Sequence, residues 1–141
     1  MARRRVALVL GALGLAISVY LTMVHYHGAP LACPMRGIID CEQVVTSPQS
    51  VILGLPLALW GVVWFLVFIG LTLQERASGG PPWLQPARFW WLLLGAASVV
   101  YFIYLELMVI GKICIWCSGV HLIVLILLAM EMRPRADVRT D

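Results

Sequence analysis

Four long runs of apolar residues, separated by short polar stretches, occupy most of the chain. They cover residues 6–26, 51–73, 89–110 and 114–132, and they leave polar loops at 27–50 and 74–88. Each run is close to the roughly 20 residues that an α-helix needs to cross the hydrocarbon core of a bilayer. The pattern therefore predicts an all-α fold, an integral membrane four-helix bundle that forms a single domain over residues 1–141.

Smaller features of the pattern predict how the helices begin and pack. Gly11, Gly14 and Ser18 recur at spacings of three and four, which predicts a close contact with another helix. Pro56 lacks a backbone donor, so the second helix should bend or begin there. The first run is longer than the roughly 7–15-residue core of a secretory signal, so we expect it to remain in the membrane. The third and fourth runs are almost contiguous, so their helices should be antiparallel neighbours.

The polar loop 27–50 contains several Pro and Gly residues that break regular structure. Within it, Asp40 followed three positions later by Gln43 matches a helix N-cap box. We expect a short helix from Cys41 to about Thr46. It should lie on the outer end of the bundle as a cap.

The composition agrees with a membrane protein, and the basic residues indicate its orientation. Hydrophobic residues make up 62% of the chain and charged residues 12%, against roughly 45–50% and 25% in soluble domains. Most of the 10 Lys and Arg residues fall on one side of the predicted helices, which indicates the cytoplasmic side. These are Arg3, Arg4, Arg5, Arg76, Arg88, Arg133, Arg135 and Arg139, whereas Arg36 and Lys112 fall on the other side.

Both termini and the loop 74–88 are then cytoplasmic, and the loop 27–50 lies outside. The net charge of +3 follows from this anchoring pattern, so we expect no nucleic-acid partner.

The four cysteines form two pairs that both face the outside in this topology. Cys33 and Cys41 lie in the outer loop, and Cys114 and Cys117 open the fourth helix. Disulfides persist on this side of a membrane. Residues three apart share a helix face, so the inner pair can close a disulfide without moving the backbone. The helix N-terminus and the cation of Lys112 favour the thiolate, so Cys114 should be the more reactive of the two.

Three interpretations fit these spacings. In a relay, the outer pair exchanges disulfides with a soluble protein and the inner pair meets a molecule dissolved in the lipid. Alternatively, the cysteines form two static disulfides in a non-catalytic scaffold, or they ligate zinc. The spacing of Cys33 and Cys41 is not that of a zinc knuckle, so we expect no metal. The activation of the thiols favours the relay.

Two ionisable residues are predicted inside the membrane, where such groups are costly and are by default candidates for function. His121 lies one turn after Cys117, so it could hydrogen-bond a quinone carbonyl or a neighbouring helix. Glu106 should lie about 12 Å below Cys114, at ~1.5 Å per residue, and could supply protons or bond within the bundle. Trp116, between the two thiols, should shield them from water or line a pocket.

The chain resembles the vitamin K epoxide reductase (VKOR) family over residues 6–132. Four features carry the resemblance: four helices with cytoplasmic ends, the spacing Cys33-x7-Cys41, the stretch Cys-Glu-Gln-Val-Val-Thr-Ser-Pro at 41–48, and Cys-Ile-Trp-Cys at 114–117. The resemblance implies that the loop pair receives electrons from a thioredoxin-fold protein and that the inner pair passes them to a quinone. Cys33 would react with the partner, Cys41 would exchange with Cys114, and Cys117 would react with the quinone.

The resemblance also implies a quinone-binding site. Ser47 matches a family serine near the quinone ring, and His121 stands where animal members have a Tyr. Together with Trp116, these are the expected quinone-binding residues. Animal members use an Asn to donate a hydrogen bond to the vitamin K oxygen, and this chain contains no Asn, which argues against epoxide recycling.

The sequence looks more like the bacterial and archaeal homologues that oxidise exported proteins. We therefore expect a cell-membrane enzyme that re-oxidises a separate thioredoxin-fold partner outside the cytoplasm and so supports disulfide bond formation. Its electron acceptor would be a quinone of the ubiquinone, menaquinone or vitamin K type. The rival functions are a quinone or quinone-epoxide reductase whose product is the reduced quinone, and the non-catalytic scaffold.

Overall fold

The computed structural model describes residues 2–28, 31–34, 36–75 and 80–133, and this part of the chain is mainly helical. The helices are α1 (Ala2–His27), α2 (Cys41–Thr46), α3 (Leu57–Leu73), α4 (Leu84–Tyr104) and α5 (Ile115–Met132), and a π-helical segment, Leu105–Ile110, continues α4. A 3₁₀ turn, Pro48–Ser50, and a hairpin of β1 (Val51–Ile52) and β2 (Leu55–Pro56) precede α3. The predicted all-α fold is confirmed.

Three helical segments in the described part of the chain are long and apolar enough to cross a membrane. They are Ala2–His27, Leu84–Ile110 and Ile115–Met132. The fourth apolar helix, α3, has 17 residues, which at ~1.5 Å per residue gives a length of about 25 Å. This is at the lower end of the length that spans a bilayer. The fold is therefore that of an integral membrane helical bundle.

The start of α3 differs from the prediction. The apolar run 51–73 predicted one continuous helix, but α3 begins at Leu57. The residues before it form the hairpin, in which Leu53 and Gly54 have left-handed φ angles of 55° and 78°. Two consecutive left-handed residues are typical of a tight hairpin turn. Pro56 is the N-cap of α3, so the proline marks a helix start rather than a bend.

The small residues of α1 make the close helix contact that their spacing predicted. Gly11, Gly14 and Ser18 are all buried. Aromatic side chains of α3 occupy the space that the glycines leave, and a Cβ atom on Gly14 would lie 2.2 Å from the Phe65 ring. Phe65 and Phe68 in turn belong to the main hydrophobic core, which they share with α4 and α5.

A cluster of ion pairs joins the helices at one end of the bundle. The buried guanidinium of Arg88 in α4 contacts Glu131 of α5 at 2.8 Å and Glu75 after α3 at 2.6 Å. Arg3 of α1 lies 3.6 Å from the same Glu131. Arginines of two distant segments thus meet at one end of the bundle, whereas Arg76, Arg135 and Arg139 of the predicted set lie outside the described residues.

The opposite end carries the predicted capping helix. α2 spans Cys41–Thr46, and the Asp40 carboxylate accepts a hydrogen bond from the Gln43 N–H at 2.9 Å. Two backbone hydrogen bonds tie the preceding residues to the connection before α5. The Asp40 N–H donates to the Ile113 carbonyl at 3.1 Å, and the Ile113 N–H donates to the Ile38 carbonyl at 2.8 Å. The cap therefore holds the outer-loop cysteines at the start of α5.

Candidate active site

The outer loop and the start of α5 bring the four cysteines together. Cys33 and Cys41 form a disulfide, whereas Cys114 and Cys117 are free thiols. Cys41 and Cys114 are both 0% exposed and belong to one buried cluster, against which Cys33 and Cys117 pack. The two pairs are therefore neighbours within one packed unit. Cys33 lies on its loop side and Cys117 lies in α5.

Cys114 is the N-cap of α5, and its sulfur accepts a hydrogen bond from the Cys117 backbone N–H at 3.2 Å. A hydrogen bond from the Cys117 thiol is the main cause that lowers the pKa of Cys114 below its ordinary value. The Lys112 ammonium donates to the Gly37 carbonyl at 2.9 Å, and it is not among the groups that shift the pKa of Cys114. Lys112 thus binds the outer loop, and the Cys114 thiolate is stabilised by the Cys117 thiol and by the backbone N–H groups of Trp116 and Cys117 at the start of α5.

A cavity of about 220 Å³ lies below the capping helix and is lined mainly by apolar side chains. Cys117 is part of its wall, together with Ser47, Glu106 and His121. Because few polar groups converge on an otherwise apolar space, the cavity has the character of a site for a lipid-soluble ring. Cys117 is the cysteine with access to it.

Ser47 and His121 both lie in the cavity wall, as expected for residues that meet a ligand there. Ser47 is the C-cap of α2, and its hydroxyl donates to the Val44 carbonyl at 2.9 Å. The His121 ring is 8% exposed and stacks on Phe102 with ring centroids 6.3 Å apart. Among the described residues, no protein group hydrogen-bonds the His121 ring. Its nitrogens are therefore available to a ligand.

Trp116 occupies a different position from these two residues. Its indole N–H donates to the Ala32 carbonyl at 3.1 Å, and its ring packs edge-on against Tyr20 with centroids 5.4 Å apart. The Tyr20 hydroxyl accepts a hydrogen bond from the Ala32 N–H at 3.3 Å. Trp116 therefore anchors the segment next to Cys33, and it is not among the described residues that line the cavity.

Glu106 lies much closer to the thiols than the sequence predicted. Its backbone carbonyl accepts a hydrogen bond from the Lys112 N–H at 3.1 Å, and its carboxyl group lies close to the Cys114 backbone N–H. The separation of about 12 Å assumed a straight helix up to the connection. The π-helical segment and Gly111, with a left-handed φ of 68°, instead turn the chain back so that Cys114 returns to the level of Glu106.

Sequence reasoning missed several residues of the cavity wall. His25 of α1 lines the cavity, and its ring Nδ1 lies 2.9 Å from the Val45 carbonyl. Trp64 of α3 lines it as well. One signal was present: His25 continues the helical spacing of Ser18 and Leu21, which also face the cavity.

The fold and the site together define a helical membrane protein in which two cysteine pairs lie beside an apolar cavity. Residues 5–132, nearly the whole chain, match the family model described as the Vitamin K epoxide reductase family. The chain belongs to this family, as the resemblance predicted. Membership implies membrane redox chemistry on quinones and disulfides, so the protein is an oxidoreductase of that general kind.

Proposed function

We propose that this protein re-oxidises a thioredoxin-fold protein outside the cytoplasm and passes the electrons to a membrane quinone, and so supports disulfide bond formation. The observation that carries the proposal is that the two cysteine pairs belong to one buried cluster next to the cavity. Cys41 and Cys114 share one buried cluster, and Cys117 forms part of the wall of the apolar cavity. Electrons can therefore pass from the loop to the cavity by disulfide exchange alone.

The exchange begins when a partner thiolate attacks the outer disulfide. The partner's second thiol completes its own disulfide and leaves Cys33 and Cys41 reduced. Cys41 then attacks Cys114 of an oxidised inner pair, and Cys33 displaces Cys114, which restores the outer disulfide and leaves two inner thiols. A closed Cys33–Cys41 bond with two free inner thiols is the arrangement in this structure. It is the state that precedes electron transfer to the quinone.

The final step oxidises the inner pair and reduces the quinone. The two thiols lose two electrons and two protons and form the Cys114–Cys117 disulfide, and the quinone gains both and becomes a quinol. His121 would donate a hydrogen bond to one quinone oxygen from the cavity wall. Ser47 would donate to the other after its hydroxyl rotates away from the Val44 carbonyl. Trp116 would shield the inner thiols from water on the loop side, because its hydrogen bond to Ala32 holds the indole ring against that loop.

The direction of flow follows from reduction potentials. Strong thiol oxidants have potentials near −120 mV, and the bacterial periplasm is kept oxidising by a relay that ends in quinone. Electrons therefore run downhill from the partner's thiols to the quinone. The proposed acceptor is a quinone of the ubiquinone, menaquinone or vitamin K type, since an apolar cavity selects for lipid solubility rather than for a particular ring.

The test is a comparison of two cysteine variants with two electron donors. Cys33→Ala should lose oxidation of a thioredoxin-fold substrate but still reduce a quinone analogue when a small dithiol is supplied. The reason is access: a folded partner reaches only the outer loop, whereas a small dithiol reaches the inner disulfide directly. Cys117→Ala should lose both activities, because no disulfide remains beside the cavity.

The measurements are quinol formation and a count of free thiols before and after mixing the reduced protein with the quinone. Two results contradict the relay. If wild-type protein keeps its inner thiols reduced with quinone present, the cysteines are not coupled to it and the scaffold interpretation holds. If both variants lose dithiol-driven quinone reduction equally, the two pairs do not act in the proposed order.

A further inference from the structure

Glu106 is a buried carboxyl group beside the inner cysteine pair that the relay leaves unused. It is 6% exposed and lines the same cavity as Cys117 and His121. Its backbone carbonyl accepts a hydrogen bond from the Lys112 N–H at 3.1 Å, and its carboxyl group lies close to the backbone N–H of Cys114. A carboxyl group is costly to bury in a membrane protein, so its position in the cavity wall beside the thiols calls for an explanation in terms of chemistry.

The ion pairs of the described residues do not account for Glu106. They join Arg3, Glu75, Arg88 and Glu131, and all of them lie at the opposite end of the bundle. The nearest cation along the chain, Lys112, is bound to the Gly37 carbonyl. Glu106 is therefore not held as the partner of a permanent positive charge. Its carboxyl group is available to change its protonation state.

The reaction of the inner pair requires a group that moves protons. Forming a disulfide from two thiols releases two protons, and reducing a quinone to a quinol consumes two. The protons leave sulfur atoms and must reach quinone oxygens in an apolar cavity. Carboxyl groups act as general acids and bases when they lie within hydrogen-bond reach of the groups involved.

We propose that Glu106 accepts the proton of an inner thiol and returns it to the quinone as the inner pair is oxidised. The proposal rests on the proposed function and deepens it. As the Cys117 S–H bond breaks, its proton turns from the Cys114 sulfur to Glu106 in the shared cavity wall, and the electron pair stays on the Cys117 sulfur. The Cys114–Cys117 bond then forms while two electrons pass to the quinone. The proton held by Glu106 and the proton from Cys114 end on the two quinol oxygens, so Glu106 returns to its starting state.

The groups around Glu106 are consistent with this path. The titratable groups near Glu106 at the start of α5 and within it are Cys114, Cys117 and His121. The titratable group that α1 contributes to the same cavity is His25, whose ring nitrogen lies close to the Val45 carbonyl. In the proposed path, Cys114 and Cys117 are the sources of the protons, and His121 of α5 lies in the cavity wall. A pH profile of the inner step must therefore be assigned by comparing variants of Glu106 with the wild type.

The test compares Glu106→Gln with Glu106→Asp in the full-length protein. Gln has nearly the same shape as Glu and can still accept the Cys114 N–H, but it cannot carry a proton, whereas Asp keeps the carboxyl group on a shorter stem. Each variant is reduced with a small dithiol and mixed with a quinone analogue, and single-turnover quinol formation is measured across pH. We expect Glu106→Gln to be slower by about 100-fold or more, the usual scale of general acid–base catalysis, and Glu106→Asp to retain more activity.

The solvent deuterium isotope effect on the same step should decrease in Glu106→Gln, because the proton transfer through the carboxyl group is gone. Exposed Glu42 provides the matched control, and Glu42→Gln should behave as the wild type. Disulfide exchange between the two cysteine pairs should persist in both Glu106 variants. Its persistence shows that they are folded.

Two outcomes overturn the role of Glu106. One is a Glu106→Gln variant as fast as the wild type. The other is a Glu106→Gln variant that is more active than Glu106→Asp, since that order indicates a purely structural hydrogen bond. The proposed function fails by a different result, namely no quinol formation by the wild type. The two failures are therefore distinguishable.

Discussion

At the scale of single residues, the two inner cysteines have the same side chain but different environments. Cys114 is fully buried as the N-cap of α5, whereas Cys117 lies one turn later in the cavity wall. The thiol and backbone N–H of Cys117 both donate to the Cys114 sulfur, and they lower the pKa of Cys114. The anionic form of Cys114 is thus stabilised by the side chain and backbone of Cys117.

This asymmetry predicts a difference between two substitutions of Cys117. In a background with Cys33 and Cys41 replaced by Ser, Cys117→Ser keeps a side-chain donor to Cys114 and Cys117→Ala removes it. A donor that favours the thiolate lowers the pKa of Cys114, so losing it raises that pKa. Alkylation of Cys114 by iodoacetamide, followed by mass spectrometry across pH, should have its midpoint at a higher pH in Cys117→Ala. Equal midpoints would show that the Cys117 side chain does not tune Cys114.

At the scale of elements, the bundle depends on a close approach between α1 and α3. Gly14 leaves room for the Phe65 ring, and Phe65 itself is 1% exposed in the main core. Membrane helices associate through van der Waals packing rather than a hydrophobic driving force, so small residues at a contact have a large effect. The same approach sets the distance between the helices that enclose the cavity, since Phe65 lies in its wall.

Gly14→Ala should therefore destabilise the protein. The added methyl would overlap the Phe65 ring at 2.2 Å, and overpacking of this kind typically costs about 1–3 kcal/mol. Gly70→Ala in α3 is the matched control, because it adds the same methyl group to a helix but has no neighbouring atom within 4 Å. The midpoint of unfolding in detergent should fall for Gly14→Ala and stay equal or rise for Gly70→Ala. If the two variants unfold at the same midpoint, the contact between Gly14 and Phe65 is not as tightly packed as described.

At the scale of the whole molecule, the two ends of the bundle have different chemistry. One end is held by the ion pairs around Arg88, and the other carries the cysteines under the capping helix. This separation agrees with the predicted orientation, in which the basic end lies in the cytoplasm and the cysteines lie on the oxidising side. The orientation is a prediction from the arginines, and it can be measured independently of activity.

Two single cysteines in a cysteine-free protein report this orientation. Ile38→Cys lies in the outer loop, where the native side chain is 63% exposed, and Gln74→Cys lies at the exposed end of α3. An impermeant maleimide added to intact cells should label Ile38→Cys at once and Gln74→Cys only after permeabilisation. The reverse pattern would place the active cysteines in the cytoplasm and contradict the proposed partner.

The sequence alone predicts those features of this protein that depend on interactions between residues close together in the chain. Long apolar runs predict helices because each residue of a spanning helix must be compatible with lipid. The capping helix followed from Asp40 and Gln43, whose contact lies within one turn. The small-residue stripe of α1 correctly predicted a close contact, although it did not say which helix would fill it.

The tertiary structure alone decided the features that depend on chain reversals and on packing between distant segments. Lys112 and Trp116 bind the outer loop some 75 and 84 positions away, and no local pattern encodes that choice. The start of α3 depended on a hairpin turn inside an apolar run. The largest effect concerns Glu106. A π-helical turn and the left-handed Gly111 reverse the chain and return Cys114 to the level of Glu106. This reversal, which the sequence spacing of the two residues does not reveal, brings a carboxyl group beside the thiols.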